Sequence, residues 1–266
     1  MYPQPCPIPV PAPIPIPPEK PRMRLEAVTV CVGYADFLEA VIPHNRPHFD
    51  KWVIVTTPED SETRELCRRY GLTPVMTSDF YRDGAKFAKS RGIRRGIDFT
   101  HADTWILHID GDIALPEHFR RALTMSHLDP RCLYGCDRIM ARSWDQWQKL
   151  LRDGYLQHDY HCRVRFFPGA DVGERWASEA HGYVPIGFFQ LWHSTADLFK
   201  GARTRPYPVE HNDAARCDVQ FALQWDRRDR ILLPEIVAVH LESKSGIPLG
   251  ANWSGRTTPR FGPPKT

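Results

Sequence analysis

No stretch of this chain is apolar for long enough to cross a bilayer as a helix. The N-terminus has neither a basic opening nor an apolar core, so no secretory leader is expected. Charge of one sign is scarce too. Thirty-five Lys and Arg stand against thirty-two Asp and Glu, a formal net charge of +3. That is too small to announce a nucleic-acid-binding face, and it is compatible with an anionic substrate. The seven cysteines (Cys6, Cys31, Cys67, Cys132, Cys136, Cys162 and Cys217) are too scattered for a disulfide framework. Buried thiols in a reducing compartment, the cytoplasm, are the simplest reading. Cys132-x3-Cys136 with His161-Cys162 lacks the spacing of a zinc site, and two packed thiols are preferred. Asn252-Trp253-Ser254 matches a glycosylation sequon that carries little weight without a leader. The sequence has no internal repeat.

What is present divides into three parts. Residues 1–22 hold ten prolines in the first twenty-one positions. Proline removes the backbone donor and fixes φ, so an extended polyproline tail is expected, acting as a spacer or as a ligand for an aromatic groove. Residues 23–258 form the expected domain, and 259–266 a flexible C-terminal tail. From residue 26 strands and helices alternate. "AVTVCVG" (27–33) is a buried strand, "ADFLEAVIPHN" (35–45) a helix, and "WVIVTT" (52–57) the second strand. "PEDSETRELCRRYG" (58–71) is a helix opened by proline and acids and closed by Arg and glycine. "TPVM" (73–76) is a third strand, "GAKFAKSRGIRRGIDF" (84–99) one basic amphipathic helix, and "TWILHI" (104–109) a fourth strand. Further on, "SWDQWQKLLRDG" (143–154) and "HNDAARCDVQFALQWDRR" (211–228) read as helices. "ILLPEIVAVH" (231–240) reads as a strand that starts late or lies at an edge because of Pro234. Alternation at this spacing predicts a mostly parallel sheet, with ligands gathering at the carboxyl ends of its strands.

Asp110-Gly111-Asp112 lies at such an end. Gly111 allows a sharp bend that converges the two carboxylates. Two anions so close repel unless a cation lies between them. Hard oxygen ligands suit Mg²⁺ or Mn²⁺, which bridge carboxylates to a diphosphate. The alternative is a solvated Asp-Gly turn.

"DTWILHIDGDIALP", with the "AVTVCVG" strand and the "FAKSRGIRRGI" helix before it, resembles a GT-A-fold glycosyltransferase in the broad style of family 2. The resemblance covers roughly residues 26–125 and is looser beyond. It implies an α/β, Rossmann-like, mostly parallel sheet flanked by helices, with a short antiparallel or irregular acceptor-side region. It implies that Asp110 and Asp112 bind the metal and the donor diphosphate. "RCDVQFALQW" is similar to the family's "ED-x-x-F" element, with Cys217 in place of the first acid. That makes Asp218 the general base, or a helix cap, the role preferred for Asp213. His240, at a strand end, completes the metal shell or is structural. Val32, Gly33, Tyr34, Thr56 and Thr57, with Asp60 more distant, are placed near the nucleotide. Lys86 and Arg91 face the phosphates, while Arg94 and Arg95 read as solvated. Lys244 and Arg256 lie in a lid over the diphosphate. Gly187, Phe188, Trp192 and His193 face the acceptor, and Phe189 and Leu191 read as core. Trp144, Trp147, Arg142, Lys149 and Arg152 make a basic-aromatic helix that either grips nucleic acid or buries its tryptophans.

The expected activity is metal-dependent transfer from a nucleotide-sugar, a UDP-sugar by preference, to a glycan, a protein or a hydroxylated DNA base. The rivals are a sugar nucleotidyltransferase and a non-catalytic nucleic-acid-binding or scaffold protein. The first needs a glycine- and basic-rich loop after the first strand, which "CVGYADFLEA" lacks.

Overall fold

The computed structural model describes residues 23–157, 166–195, 207–243 and 250–263. The proline-rich tail, His161, Cys162 and Lys244 lie outside them.

Among the described residues, ten strands and six α-helices follow in chain order. They are β1 (Leu25–Val30), α1 (Ala35–Asn45), β2 (Lys51–Thr56), α2 (Ser61–Tyr70), β3 (Thr73–Met76), α3 (Lys89–Ile97), β4 (Trp105–Ile109), β5 (Ile113–Ala114), α4 (Phe119–Met125), β6 (Leu133–Ala141), α5 (Trp144–Arg152), β7 (Ala177–Ser178), β8 (Gly182–Tyr183), β9 (Phe189–His193), α6 (Cys217–Ala222) and β10 (Arg230–Leu241). Eight strands form one sheet in the order β3-β2-β1-β4-β9-β6-β10-β5, and β7-β8 is a separate antiparallel pair. The ladders β3-β2-β1-β4 and β6-β10 are parallel; β9 runs antiparallel to β4 and β6, and β5 antiparallel to β10. The carboxyl ends of β1, β2, β4, β6 and β10 therefore share one edge with the amino end of β9.

The strands are apolar on both faces because both are covered. Ala27, Trp52, Ile54 and Leu107 enter the core shared with α1, α2, α4 and α5. Val28, Val53, Val55 and Ile106 face the other way, into the core shared with α3 and α6. Two glycines set how closely α3 lies on that second face. A Cβ on Gly92 would stand 2.2 Å from Phe80, and one on Gly96 would stand 2.4 Å from Val28. α2 is capped as its sequence demands. Asp60 accepts from the Thr63 amide, and Gly71 closes the helix at φ 62°.

Four expectations are corrected. The helix over 84–99 contracts to α3, and a 3₁₀ stretch (Asp79–Gly84) ending in positive φ at Asp83 and Gly84 precedes it. The helix over 211–228 contracts to α6. Pro234 neither delays β10 nor puts the whole strand at an edge. It falls inside the register shift between Leu233 and Val237, where the ladder to β6 is interrupted anyway. The tail beyond 258 is anchored on the domain at Phe261. Phe261 is buried and stacks on Phe37 at 4.8 Å, and its amide donates to the Asp36 carboxylate.

The basic-aromatic helix, α5, buries Trp147 and lays Trp144 against Phe261. Arg142, just before the helix, pairs with Asp171 and Glu242, Lys149 pairs with Asp153, and Arg152 is exposed. No described helix is long and apolar enough to cross a membrane. Cys31, Cys67, Cys132, Cys136 and Cys217 are buried free thiols.

Candidate functional site

β4 delivers Asp110 to the carboxyl edge of the sheet, where it meets a residue the sequence reading missed. Lys89, the first residue of α3, places Nζ 2.5 Å from Asp110 Oδ1, with only 16% and 25% of the two side chains exposed. His108 Nε2 stands 3.5 Å from the same oxygen, and its Nδ1 lies 3.1 Å from the Val28 carbonyl. Burial alone would raise the Asp110 pKa; Lys89, then His108, outweigh it and hold the carboxyl below its ordinary range. Burial works against the charge on Lys89 as well, and Asp110 more than restores it, so its pKa is raised. His108, fully enclosed, is pushed down to about 4, by burial first and then by Lys89.

Asp112 takes a different partner. β5 pairs with β10 so that His240 stands opposite Ile113, next to Asp112. His240 Nε2 lies 3.4 Å from Asp112 Oδ2, and both side chains are 19% exposed. Asp112 Oδ1 and His240 Nδ1 are buried with no hydrogen-bond partner among the described residues. Such orphaned atoms call for a ligand or an ordered water. Among the described residues no group of three or more His, Cys, Asp or Glu side chains is gathered as a metal cage. Asp110 is turned onto Lys89, which does part of the charge-balancing expected of a cation. The donor set that fits a hard divalent ion is therefore Asp112 with His240, one carboxylate oxygen and one imidazole, to be completed by ligands from outside the protein. The bend between the acids does not depend on Gly111. Its φ is not in the left-handed region, and a Cβ there would make only an ordinary 3.6 Å contact with Thr29.

Asp218 lies in the first turn of α6 and is half-buried. Its Oδ2 accepts the Gly187 amide at 2.6 Å, and a Cβ on Gly187 would press on the Asp218 side chain at 2.8 Å. The position preceding α6 is Arg216, in the left-handed region without a side-chain cap, so Asp218 does not cap its own helix. Asp213 accepts from the Ala215 amide in a local turn. The negative charge of Asp218 reaches Lys89 and the Cys217 thiol.

On the β1-β2 side, Asp60 gathers the expected nucleotide residues. Its Oδ2 accepts from the Gly33 amide at 2.8 Å, the Thr56 hydroxyl at 3.2 Å and the Thr63 hydroxyl at 2.8 Å. A cleft of about 470 Å³ opens beside it, lined by Gly33, Glu59, Asp60, Glu62, Arg256 and Arg260, among others. Val32 is partly buried against the second core and Thr57 is buried. Tyr34 stacks on Phe37 at 5.4 Å. Its pKa is raised, by burial first and then by the nearby Asp112.

Several candidates are placed elsewhere than expected. Arg256 is no free cation over a diphosphate. Its five N–H groups donate to the Asp36 carboxylate and to the carbonyls of Gly33, Thr258 and Pro259, and it covers the rings of Tyr34 and Phe37. Arg91 donates to the carbonyls of Asp79 and Arg82, pinning the 3₁₀ stretch rather than facing phosphate. Lys86 is exposed and precedes α3, tied down by its amide to Asn212. Arg95 is exposed beside Asp98, and Arg94 is half-buried. Trp192 is 1% exposed among Tyr207, Phe221 and the second core, so its ring cannot stack on an acceptor. His193 pairs with Trp105 at the start of β4, the opposite end of that strand from Asp110. Phe188 does reach the site, its ring 6.4 Å from His240. Phe189 and Leu191 are fully buried.

No protein-family model matches the chain. A comparison with curated proteins finds no match. Among solved structures, glucosyl-3-phosphoglycerate synthase from Mycobacterium tuberculosis, in complex with Mn²⁺, UDP-glucose and phosphoglyceric acid, is similar at 17% identity. That match covers 44% of each chain with a TM-score of 0.35. Mannosyl-3-phosphoglycerate synthase from Rubrobacter xylanophilus is similar at 17% identity over 44% of this chain and 41% of that one, TM-score 0.32. The M. tuberculosis enzyme with UDP matches at 12% identity over 85% of this chain and 74% of that one, TM-score 0.48. The first two matches span under half the length of those proteins. The fold class stands on the sheet itself: a large, mostly parallel α/β sheet, helices on both faces, an inserted antiparallel strand and a small antiparallel pair.

Proposed function

We propose that the chain is a metal-dependent glycosyltransferase that moves a sugar from a nucleotide-sugar, a UDP-sugar, to an acceptor hydroxyl. The observation that carries this reading is the Asp112–His240 pair. It holds an orphaned buried oxygen beside the Lys89–Asp110 ion pair, at the carboxyl edge of the central strands. An edge of this kind, at the carboxyl ends of parallel strands, is where α/β sheets take ligands.

Asp112 and His240 are the residues that would hold Mn²⁺ or Mg²⁺. Bound there, the ion supplies positive charge against the departing diphosphate. Lys89 keeps Asp110 ionised and fixed and puts a further buried cation at that corner. The Asp60 cluster, with Gly33, Thr56 and Thr57, receives the nucleoside. Asp218, held by the Gly187 amide, takes the proton of the acceptor hydroxyl as that oxygen bonds to the anomeric carbon. The bond from that carbon to the diphosphate oxygen breaks with its electron pair, and the nucleoside diphosphate leaves with inversion. The acceptor is a glycan, a protein or a hydroxylated DNA base.

The four-residue connection from β1 to α1 (Cys31–Tyr34) has one glycine and no cation, which disfavours a sugar nucleotidyltransferase. The test is release of nucleoside diphosphate from a panel of nucleotide-sugars, with Mn²⁺, with Mg²⁺ and with chelator. Metal-dependent release from a UDP-sugar is expected. A preference for a nucleoside triphosphate with a sugar phosphate, or no turnover of any donor, overturns the reading.

A further inference from the structure

Arg138 is a cation with an unused donor. It lies in β6, half-buried, and its Nε is buried with no hydrogen-bond partner among the described residues. No carboxylate of the described residues pairs with it. Asp112, Asp110 and Glu242 act on it only through longer-range attraction. Its guanidinium lies over the Phe188 ring at 4.2 Å, and Gly173 closes on its stem, where a Cβ would come within 2.6 Å of Cγ and Nε. The neighbouring cation, Arg175, is satisfied: it binds Asp137 through two hydrogen bonds of 2.9 and 2.6 Å. Exposed Glu174 also lines the recess. A guanidinium Nε–H that gives up water beside a ring face and finds no acceptor is costly, and on a cation the acceptor that best completes it is an anion. Its planar fork suits a carboxylate or a phosphate.

Its place in the sheet says which anion. Arg138 pairs with Ala238, and Met140 pairs with His240, so in this parallel ladder Arg138 and His240 project from the same face. Phe188 stands between them, 4.2 Å from the guanidinium carbon and 6.4 Å from the His240 ring. β6 is two strand spacings from β4 and three from β1, about 10 and 14 Å. The nucleoside residues lie on β1 and β2 and the diphosphate corner at the end of β4, so Arg138 is on the far side of that corner from the nucleoside.

We propose that Arg138 is an anion-binding residue on the acceptor side of the cleft, receiving a carboxylate or phosphate carried by the acceptor. The assignment of that anion to the acceptor rests on the sugar-transfer reading; the presence of an anion site does not.

The experiment follows the Arg138 Nε–H signal by ¹⁵N NMR in the full chain, assigned through R138K, on titration with inorganic phosphate and, separately, with acetate. Each titration is repeated with UDP and the diamagnetic Mg²⁺ present. A saturable shift in both settings is expected, and the stronger of the two anions tells phosphate from carboxylate. The variants lack that signal and are read by calorimetric titration of the same anion: R138Q should weaken its binding about tenfold or more, as loss of a charged hydrogen-bonding partner does. R138K, which keeps the charge and the fold, should weaken it less. No shift, binding by R138Q as strong as by the wild type, or a shift that UDP and Mg²⁺ abolish overturns the proposal; the last would assign Arg138 to the donor diphosphate. UDP failing to bind in the same samples would sink the sugar-transfer reading and leave the anion site standing. In transfer assays glucuronate or glucose 6-phosphate should outcompete glucose as acceptor, and R138Q should raise the acceptor KM and erase that preference.

Discussion

Replacing Lys89 by methionine removes one half of an ion pair that is less than one-quarter exposed on one side and one-quarter on the other. At 2.5 Å and an effective dielectric near 20 the gross attraction is about 7 kcal/mol, most of it offset by taking both charges out of water. Breaking such a pair by one partner costs about 3 to 5 kcal/mol, because the other charge is left uncompensated. The partial exposure here points to about 3 kcal/mol. Asp110→Asn should cost about 2 kcal/mol on the same grounds. With both changes no orphan charge remains, so the double variant should be more stable than the sum of the singles predicts, by about 2 kcal/mol. Urea unfolding at pH 7 measures the cycle. Asp110 has its pKa lowered by folding, so its contribution is present above the ordinary carboxylate range. It is lost as pH falls through the lowered native value. The coupling should therefore shrink when the cycle is repeated at pH 3. Additivity within about 0.5 kcal/mol at pH 7 would refute the argument.

His48 and Gly96 carry two independent tests. His48 is buried, and its pKa is pushed down to about 4, first by burial and then by Arg120. A depressed histidine stabilises the fold above the unfolded value of about 6.5 and loses that contribution as pH falls toward 4. Wild-type stability should decline by up to about 3 kcal/mol over that window, and H48Q should flatten the decline; parallel curves would contradict the burial argument. Gly96→Ala would set a Cβ 2.4 Å from Val28 and 2.8 Å from Val55. Overpacking of about 1 to 3 kcal/mol should exceed the roughly 1 kcal/mol gained in helix propensity, lowering the melting temperature by a few degrees.

The first half of the fold was legible because its signals are local. α1 and β3 occupy the residues that periodicity assigned, and Asp60 and Gly71 close α2 from within. β6 and β9 were not legible because each carries polar residues satisfied from far along the chain. Asp137 in β6 is matched by Arg175. Gln190 in β9 donates to the carbonyls of Pro185 and Asp218 and accepts from the Tyr207 hydroxyl. Such residues erase the apolar pattern that marks a buried strand. The capture of Arg256 by Asp36 joins positions 220 residues apart, and no spacing rule reaches it. Lys89 did leave a trace. A lysine at the first position of a helix opposes the helix dipole, so it calls for an acid nearby, and Asp110 was already in view.

The central claim is that Asp112 and His240 present a cation to a nucleotide diphosphate. Calorimetric titration of UDP into the wild-type chain and into D112N, with and without Mn²⁺, tests it most directly. The account predicts tight binding only to the wild type with Mn²⁺ present, with D112N unchanged in circular dichroism and at least tenfold weaker, a loss of about 1.4 kcal/mol or more. UDP binding of equal strength with and without the metal, or undiminished in D112N, would contradict it.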